Sequence, residues 1–175
     1  MLPKRSLMGP GPSDVYPEVL AAMARPTIGH LDPAFVDFMD ELNELLRYAF
    51  QTKNMVTLPI SAPGSAGMEC VFVNLLEPGD KVIIASNGVF GGRMLENARR
   101  CGANPVVVEF EWGTPVDPGK VEEVLKANPD AVALAFVHSE TSTGVRSDAK
   151  TLCQLAHDNG CLAIVDAVTS LGGIE

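Results

Sequence analysis

The chain has 175 residues, 46% hydrophobic and 20% charged, enough apolar material for one core of ordinary size and too much for a disordered segment. Twenty-two acidic against thirteen basic residues give a formal charge of −9, which opposes a non-specific hold on nucleic acid or anionic lipid. The longest apolar run, Ala131 to Val137, is too short to span a bilayer, and Lys4 and Arg5 are followed by Gly9-Pro10-Gly11-Pro12 rather than the apolar stretch of a secretory signal.

Residues 1–16 are rich in proline and glycine and lack periodicity, which suits an extended arm. Residues 17–24 form a short helical stretch stopped at Arg25-Pro26, because the residue before proline avoids the helical basin. Asp32 is a good N-cap and Pro33 a good first helical residue. From there Phe35, Phe38, Met39, Leu42, Leu45, Leu46, Ala49 and Phe50 repeat at three-and-four spacing, which predicts a helix. Beyond Met55, apolar runs at 56–60, 82–85, 106–110, 131–137 and 162–165 predict five strands. Amphipathic stretches at 65–76, 92–100, 117–127 and 148–159 predict helices between them. Glu77-Pro78-Gly79-Asp80, Cys101-Gly102, Asn128-Pro129-Asp130 and Asn159-Gly160 supply the turns. Strand and helix alternating, with strands apolar throughout, predict an α/β fold: a mostly parallel sheet covered by helices on both faces. No two of the four cysteines form a C-x-x-C pair, so they are read as reduced thiols, three of them buried, with no metal site. The cytoplasm or an organelle matrix is the expected location.

In such a sheet ligands bind beyond the carboxyl ends of the strands. The loop Ser61-Ala62-Pro63-Gly64-Ser65-Ala66-Gly67 runs into a helix, where free backbone N–H groups and the Ser65 hydroxyl suit a phosphate, or where Ser65 simply caps a tight turn. A P-loop lysine is absent, and no carboxylate ends the strand at Ala85-Ser86-Asn87 to hold a ribose. Asp166 follows the last strand and has three readings: a magnesium ligand, a partner for a protonated pyridine nitrogen, or a carboxylate capping Val168-Thr169-Ser170. Phe90, between glycines, is either a ring offered to a flat ligand or an ordinary core residue. The loop His138-Ser139-Glu140-Thr141-Ser142-Thr143-Gly144 clusters hydroxyls, which also make turns, and His138 is read as structural. One ligand would use all four loops: a phosphate at the helix, a planar ring at Phe90, its nitrogen on Asp166, a ring substituent near Thr141. Pyridoxal phosphate has that shape.

These stretches, with His30-Leu31-Asp32-Pro33-Ala34-Phe35 and Val165-Asp166-Ala167-Val168-Thr169-Ser170-Leu171-Gly172-Gly173, resemble the class V, fold type I pyridoxal-phosphate-dependent aminotransferases, most closely the alanine:glyoxylate and serine:pyruvate group. The resemblance implies a three-layer α/β/α large domain over residues 17–175, preceded by an arm over 1–16. It implies cofactor binding by Gly64, Ser65, Ala66, Phe90, Thr141, Asp166 and Val168, with Phe90 standing where the group commonly has tryptophan. It implies transamination between alanine or serine and glyoxylate or pyruvate, in a homodimer whose N-terminal arm crosses to the partner. The family's Schiff-base lysine falls beyond Glu175, and Lys150, on a predicted helix away from the ring loops, does not replace it. The chain is therefore expected to be the N-terminal part of a longer enzyme, with no catalytic residue of its own and a sheet edge that would promote association in isolation. The alternatives are another fold type I enzyme, such as a lyase or a cysteine desulfurase-like protein, or a non-catalytic phosphate-ligand binding domain. The desulfurase reading is weakened because the expected histidine at position 90 and the glutamine after the aspartate are absent.

Overall fold

The computed structural model describes residue 3 and residues 5–174, so Lys4 and Glu175 lie outside the described residues. The chain divides into two compact units, residues 1–59 and residues 60–175.

In the first unit, α1 spans Pro17–Met23 and α2 spans Pro33–Phe50. Asp32 caps α2 as its sequence predicts, its Oδ1 accepting from Ala34 N at 2.9 Å. The apolar stripe of α2 is at most half-buried, with Phe35, Met39, Leu42 and Leu46 the more covered positions. Arg47 fixes the chain that follows. Its Nε donates to the carbonyl of Asn54 and its Nη2 to that of Met55, each at 3.1 Å. The strand expected over 56–60 does not form. Pro59 has no N–H to give a ladder, and Val56 is 84% exposed with no neighbouring strand. An apolar run by itself does not make a strand; a hydrogen-bonding partner does.

In the second unit the order is α3 (Gly64–Leu75), β1 (Lys81–Ser86), α4 (Val89–Arg100), β2 (Asn104–Glu109), α5 (Pro118–Ala127), β3 (Ala131–Val137), β4 (Ser139–Glu140), β5 (Val145–Arg146), α6 (Ala149–Asp158) and β6 (Leu162–Asp166). β2, β1, β3 and β6 lie side by side in that order, all parallel, so the sheet has four strands where the sequence predicts five. β4 and β5 form a small antiparallel hairpin that apolar patterning does not reveal.

Strand alternation sorts the core into two clusters. Val82 and Ile84 of β1, with Ala133, Ala135 and Val137 of β3, pack against Phe72 of α3 and Met94 and Ala98 of α4. Ile83 and Ala85, with Leu134 and Phe136, pack against Val121 and Leu125 of α5 and Leu152 and Ala156 of α6. The result is the three-layer α/β/α arrangement that the continuous apolar strands predict. Gly160 ends the turn after α6 at φ +73°, a conformation that side chains disfavour, and lets the chain reverse into β6. Of the cysteines only Cys161 is buried; Cys70, Cys101 and Cys153 are half-buried. Cys153 and Cys101 only flank the two clusters and Cys70 joins neither, so burial of three thiols is corrected to one. Among the described residues no helix is long and apolar enough to cross a membrane.

Candidate functional site

Strand order decides where a ligand fits. The chain moves from β1 outward to β2, then returns to the other side of β1 for β3 and continues to β6. The order reverses between β1 and β3, and at such a reversal an open α/β sheet offers a ligand crevice beyond the carboxyl ends of its strands. The segments leaving those ends are Asn87–Phe90 and His138–Thr141, which carry two of the predicted site residues.

Gly64, Ser65 and Ala66 form the first turn of α3. Ala66 N donates to Pro63 O at 2.9 Å, whereas the amides of Gly64 and Ser65 have no acceptor among the described residues. Ser65 does not cap the helix. Its Oγ accepts from Arg93 Nη1 of α4 at 2.6 Å, and the Arg93 guanidinium lies 4.8 Å from the centre of the Phe90 ring. Two free amides, the positive end of a twelve-residue helix, a hydroxyl and a guanidinium make an anion-binding surface. Arg93 was not among the residues the sequence predicts. Its place seven residues after Ser86, one helical turn beyond Phe90, was the available signal.

Phe90 belongs to the first turn of α4, which begins at Val89 rather than at Gly92 as the glycines suggested. The reason lies elsewhere in the chain. Gly88 has no side chain to cap α4, and Glu140 does so from across the crevice: its Oε2 accepts from Phe90 N at 3.1 Å and from Gly91 N at 3.2 Å. Its Oε1 accepts from Ser142 N at 3.1 Å and Ser142 Oγ at 2.7 Å, and Ser142 Oγ accepts from Val89 N at 3.1 Å. A cap drawn from fifty residues away extends a helix past the point that local propensity marks.

Asp166 ends β6, half-buried. Its Oδ1 accepts from Val168 N at 3.0 Å, as the capping reading requires, while no donor among the described residues reaches Oδ2. One oxygen orients the carboxyl and the other has no protein donor among the described residues. Thr141 Oγ1 lies 3.5 Å from Thr169 Oγ1, which itself donates to Ser139 O at 2.7 Å. Val168 lies over the start of α3, its Cγ2 at 3.5 Å from where a Cβ on Gly64 would stand. Contacts and chain neighbours close a circuit that joins predicted residues through three that the sequence does not predict, Arg93, Glu140 and Thr169: Ser65 to Arg93, Arg93 to the Phe90 ring, the Phe90 amide to Glu140, its neighbour Thr141 to Thr169, and Val168, two residues beyond Asp166, back to Gly64. His138 lies at the end of β3, where its backbone N–H donates to Asp166 O at 2.9 Å. Burial and the neighbouring Arg146 hold its imidazole below the ordinary histidine range, against an opposing pull from Asp148.

The chain spans about two-fifths of the length of the curated relatives it matches. Over 174 residues it is 44% identical to the (S)-ureidoglycine--glyoxylate transaminase of Bacillus subtilis, covering 99% of this chain and 41% of that protein. It is 42% identical to the alanine--glyoxylate aminotransferase of Rattus norvegicus, covering 99% and 42%. A solved alanine--glyoxylate aminotransferase from Nostoc sp. superposes with a TM-score of 0.95 at 43% identity, covering 100% of this chain and 46% of that one. The model of the aminotransferase class-V family matches residues 12–175, and this chain belongs to that family.

Proposed function

We propose that the protein carrying this chain is a pyridoxal-phosphate-dependent transaminase. In this reading it moves an amino group between a small amino acid, alanine or serine, and a 2-oxo acid, glyoxylate or pyruvate. The observation that carries the reading is the circuit around the crevice. It offers an anion cradle, an aromatic ring, an apolar side chain and a carboxyl oxygen without a partner, each on a different element. Family membership and the glyoxylate-using relatives support the same reading.

The residues present fit the cofactor. The free amides of Gly64 and Ser65, with the Ser65 hydroxyl, hold its phosphate, Ala66 completing the turn and Arg93 adding positive charge. Phe90 and Val168 would pack against its ring, and Thr141 would lie beside the ring oxygen. Asp166 Oδ2 would keep the pyridine nitrogen protonated, because a nearby anion favours the charged form of a base. When bound, the cofactor supplies an electron sink for the charge that develops at the substrate's α-carbon. The lysine that exchanges the α-proton belongs outside residues 1–175: Lys150 is exposed on α6, in the layer opposite α3 and α4. Residues 17–175 are then part of the cofactor-binding domain of a homodimer, with residues 1–16 as an arm over the partner subunit. Exposed Met8 and Tyr16 suit such an arm.

The test is an absorbance titration of the intact protein with pyridoxal phosphate between about 300 and 500 nm, followed by borohydride and mass mapping of the fixed adduct. The expected result is saturable binding and an adduct on a lysine outside residues 1–175. Absence of binding, or an adduct on Lys150, would overturn the reading. Asp166→Ala should lower turnover by roughly a thousandfold, and undiminished turnover would remove the aspartate from its role.

A further inference from the structure

We propose that Glu140 is a positioning residue of this site: a buried bracket that sets the spacing between the Phe90 ring on α4 and the Thr141 hydroxyl on the β4–β5 hairpin. The proposal rests on the pyridoxal phosphate reading above.

Glu140 is 0% exposed, and no Lys or Arg pairs with it among the described residues. Burying a carboxyl without a counter-ion is costly, and here it is compensated by donors alone. Each oxygen takes two: Oε2 the amides of Phe90 and Gly91, Oε1 the amide and hydroxyl of Ser142. The positive end of α4 adds to them. Together with Ser142 Oγ on Val89 N, the first three amides of α4 are held by the hairpin, and that of Gly92 goes to Gly88 O.

Stabilising α4 does not require this arrangement. A serine or aspartate at position 88 would cap the helix locally, exposed and without burying a carboxyl. The residue there is glycine, and the space its side chain would fill is occupied by Glu140. What the remote carboxyl adds over a local cap is a rigid tie between two elements. Phe90 is one of the residues whose amide it binds, and Thr141 is its neighbour in sequence. A ring stacked on Phe90 and touching Thr141 therefore meets a gap fixed by one side chain.

The experiment compares the intact wild-type protein with Glu140→Gln and Ser142→Ala. It measures the dissociation constant for pyridoxal phosphate, the circular dichroism of the bound cofactor at saturation, and the denaturation midpoint. Glutamine keeps the shape but turns an NH2 either toward the two α4 amides or toward Ser142 N. The expected result is binding weakened about tenfold or more, with an altered cofactor dichroism. Ser142→Ala loses one arm of the bracket and should weaken binding by about threefold; it decides the matter if Glu140→Gln does not fold. A lowered midpoint with unchanged affinity and dichroism would overturn the proposal and leave Glu140 a purely structural cap. Failure of the wild-type protein to bind pyridoxal phosphate would overturn the cofactor reading instead, and this proposal with it.

Discussion

Alanine at position 88 should destabilise the second unit severely, although the backbone there is ordinary. Gly88 has φ 175° and ψ −165°, extended backbone that alanine adopts without strain. The obstacle is contact. A Cβ would lie 2.5 Å from Glu140 Cδ and 2.7 Å from Ser142 Oγ, and both must retreat by most of an ångström to reach ordinary separation. Glu140 is enclosed and has nowhere to swing, so the bonds to Phe90 N and Gly91 N, now 3.1 and 3.2 Å, would be stretched beyond use. Hydrogen bonds to a charged group contribute about 1.5–3 kcal/mol each, so losing two costs about 3–5 kcal/mol after relaxation. At roughly 2–4 °C per kcal/mol the midpoint should fall by about 6–20 °C. Thermal denaturation followed by circular dichroism measures this, with Gly92→Ala as the internal contrast. Gly92 lies in the same helix with nothing within 4 Å of a Cβ, so that substitution should stabilise by about 0.5–1 kcal/mol. A Gly88→Ala protein within about 1 kcal/mol of wild type, its Phe90 and Gly91 amides still protected from exchange, would refute the reasoning.

Arg93→Ala should weaken pyridoxal phosphate by about three- to tenfold while leaving pyridoxal, which lacks the phosphate, almost unaffected; equal losses for the two would show that Arg93 does not serve the anion. For His138 the depressed native pKa means that the unfolded chain binds the proton more readily. Its contribution to stability is thus complete above pH ~6.5 and is lost as the pH falls below that value. His138→Gln should flatten the loss of stability between about pH 7 and pH 5, and an unchanged slope would discount the histidine. Burial pushes the thiols of Cys153 and Cys161 up, and Cys161 Sγ sits 3.1 Å from Ala131 O, so iodoacetamide should modify Cys161 only on unfolding. Peptide mapping after brief labelling of the native protein checks this, and rapid modification of Cys161 would contradict the packing.

Apolar patterning carried most of the architecture. The strand at Ala131–Val137 has the limits its sequence predicts, and Asp32-Pro33 marks the start of α2. Such patterns record burial, not neighbours. The run at 56–60 is as apolar as a strand but has no partner, and the order β2-β1-β3-β6, which locates the crevice, is written in no single segment. The site shows the same division. The loop 61–67 and the end of β6 pointed to Gly64, Ser65 and Asp166 because local chemistry at a helix start and a strand end is visible in sequence. Phe90 and Val168 were ambiguous until the family resemblance placed them. Glu140 and Arg93 escaped because each acts across the fold, one capping a helix fifty residues away and the other donating to a serine on the preceding helix.

The circuit around the crevice has its ends at opposite limits of the second unit, Gly64 at the beginning and Val168 near the close. A molecule gripped by both is gripped by the first and last elements at once, and it can be held only while every layer between them stands. Occupancy then becomes a gauge of the whole α/β stack. A substitution in the α5–α6 layer, which lines no part of the crevice, should still loosen the ligand in proportion to the native population it removes, and saturating ligand should restore that population by mass action.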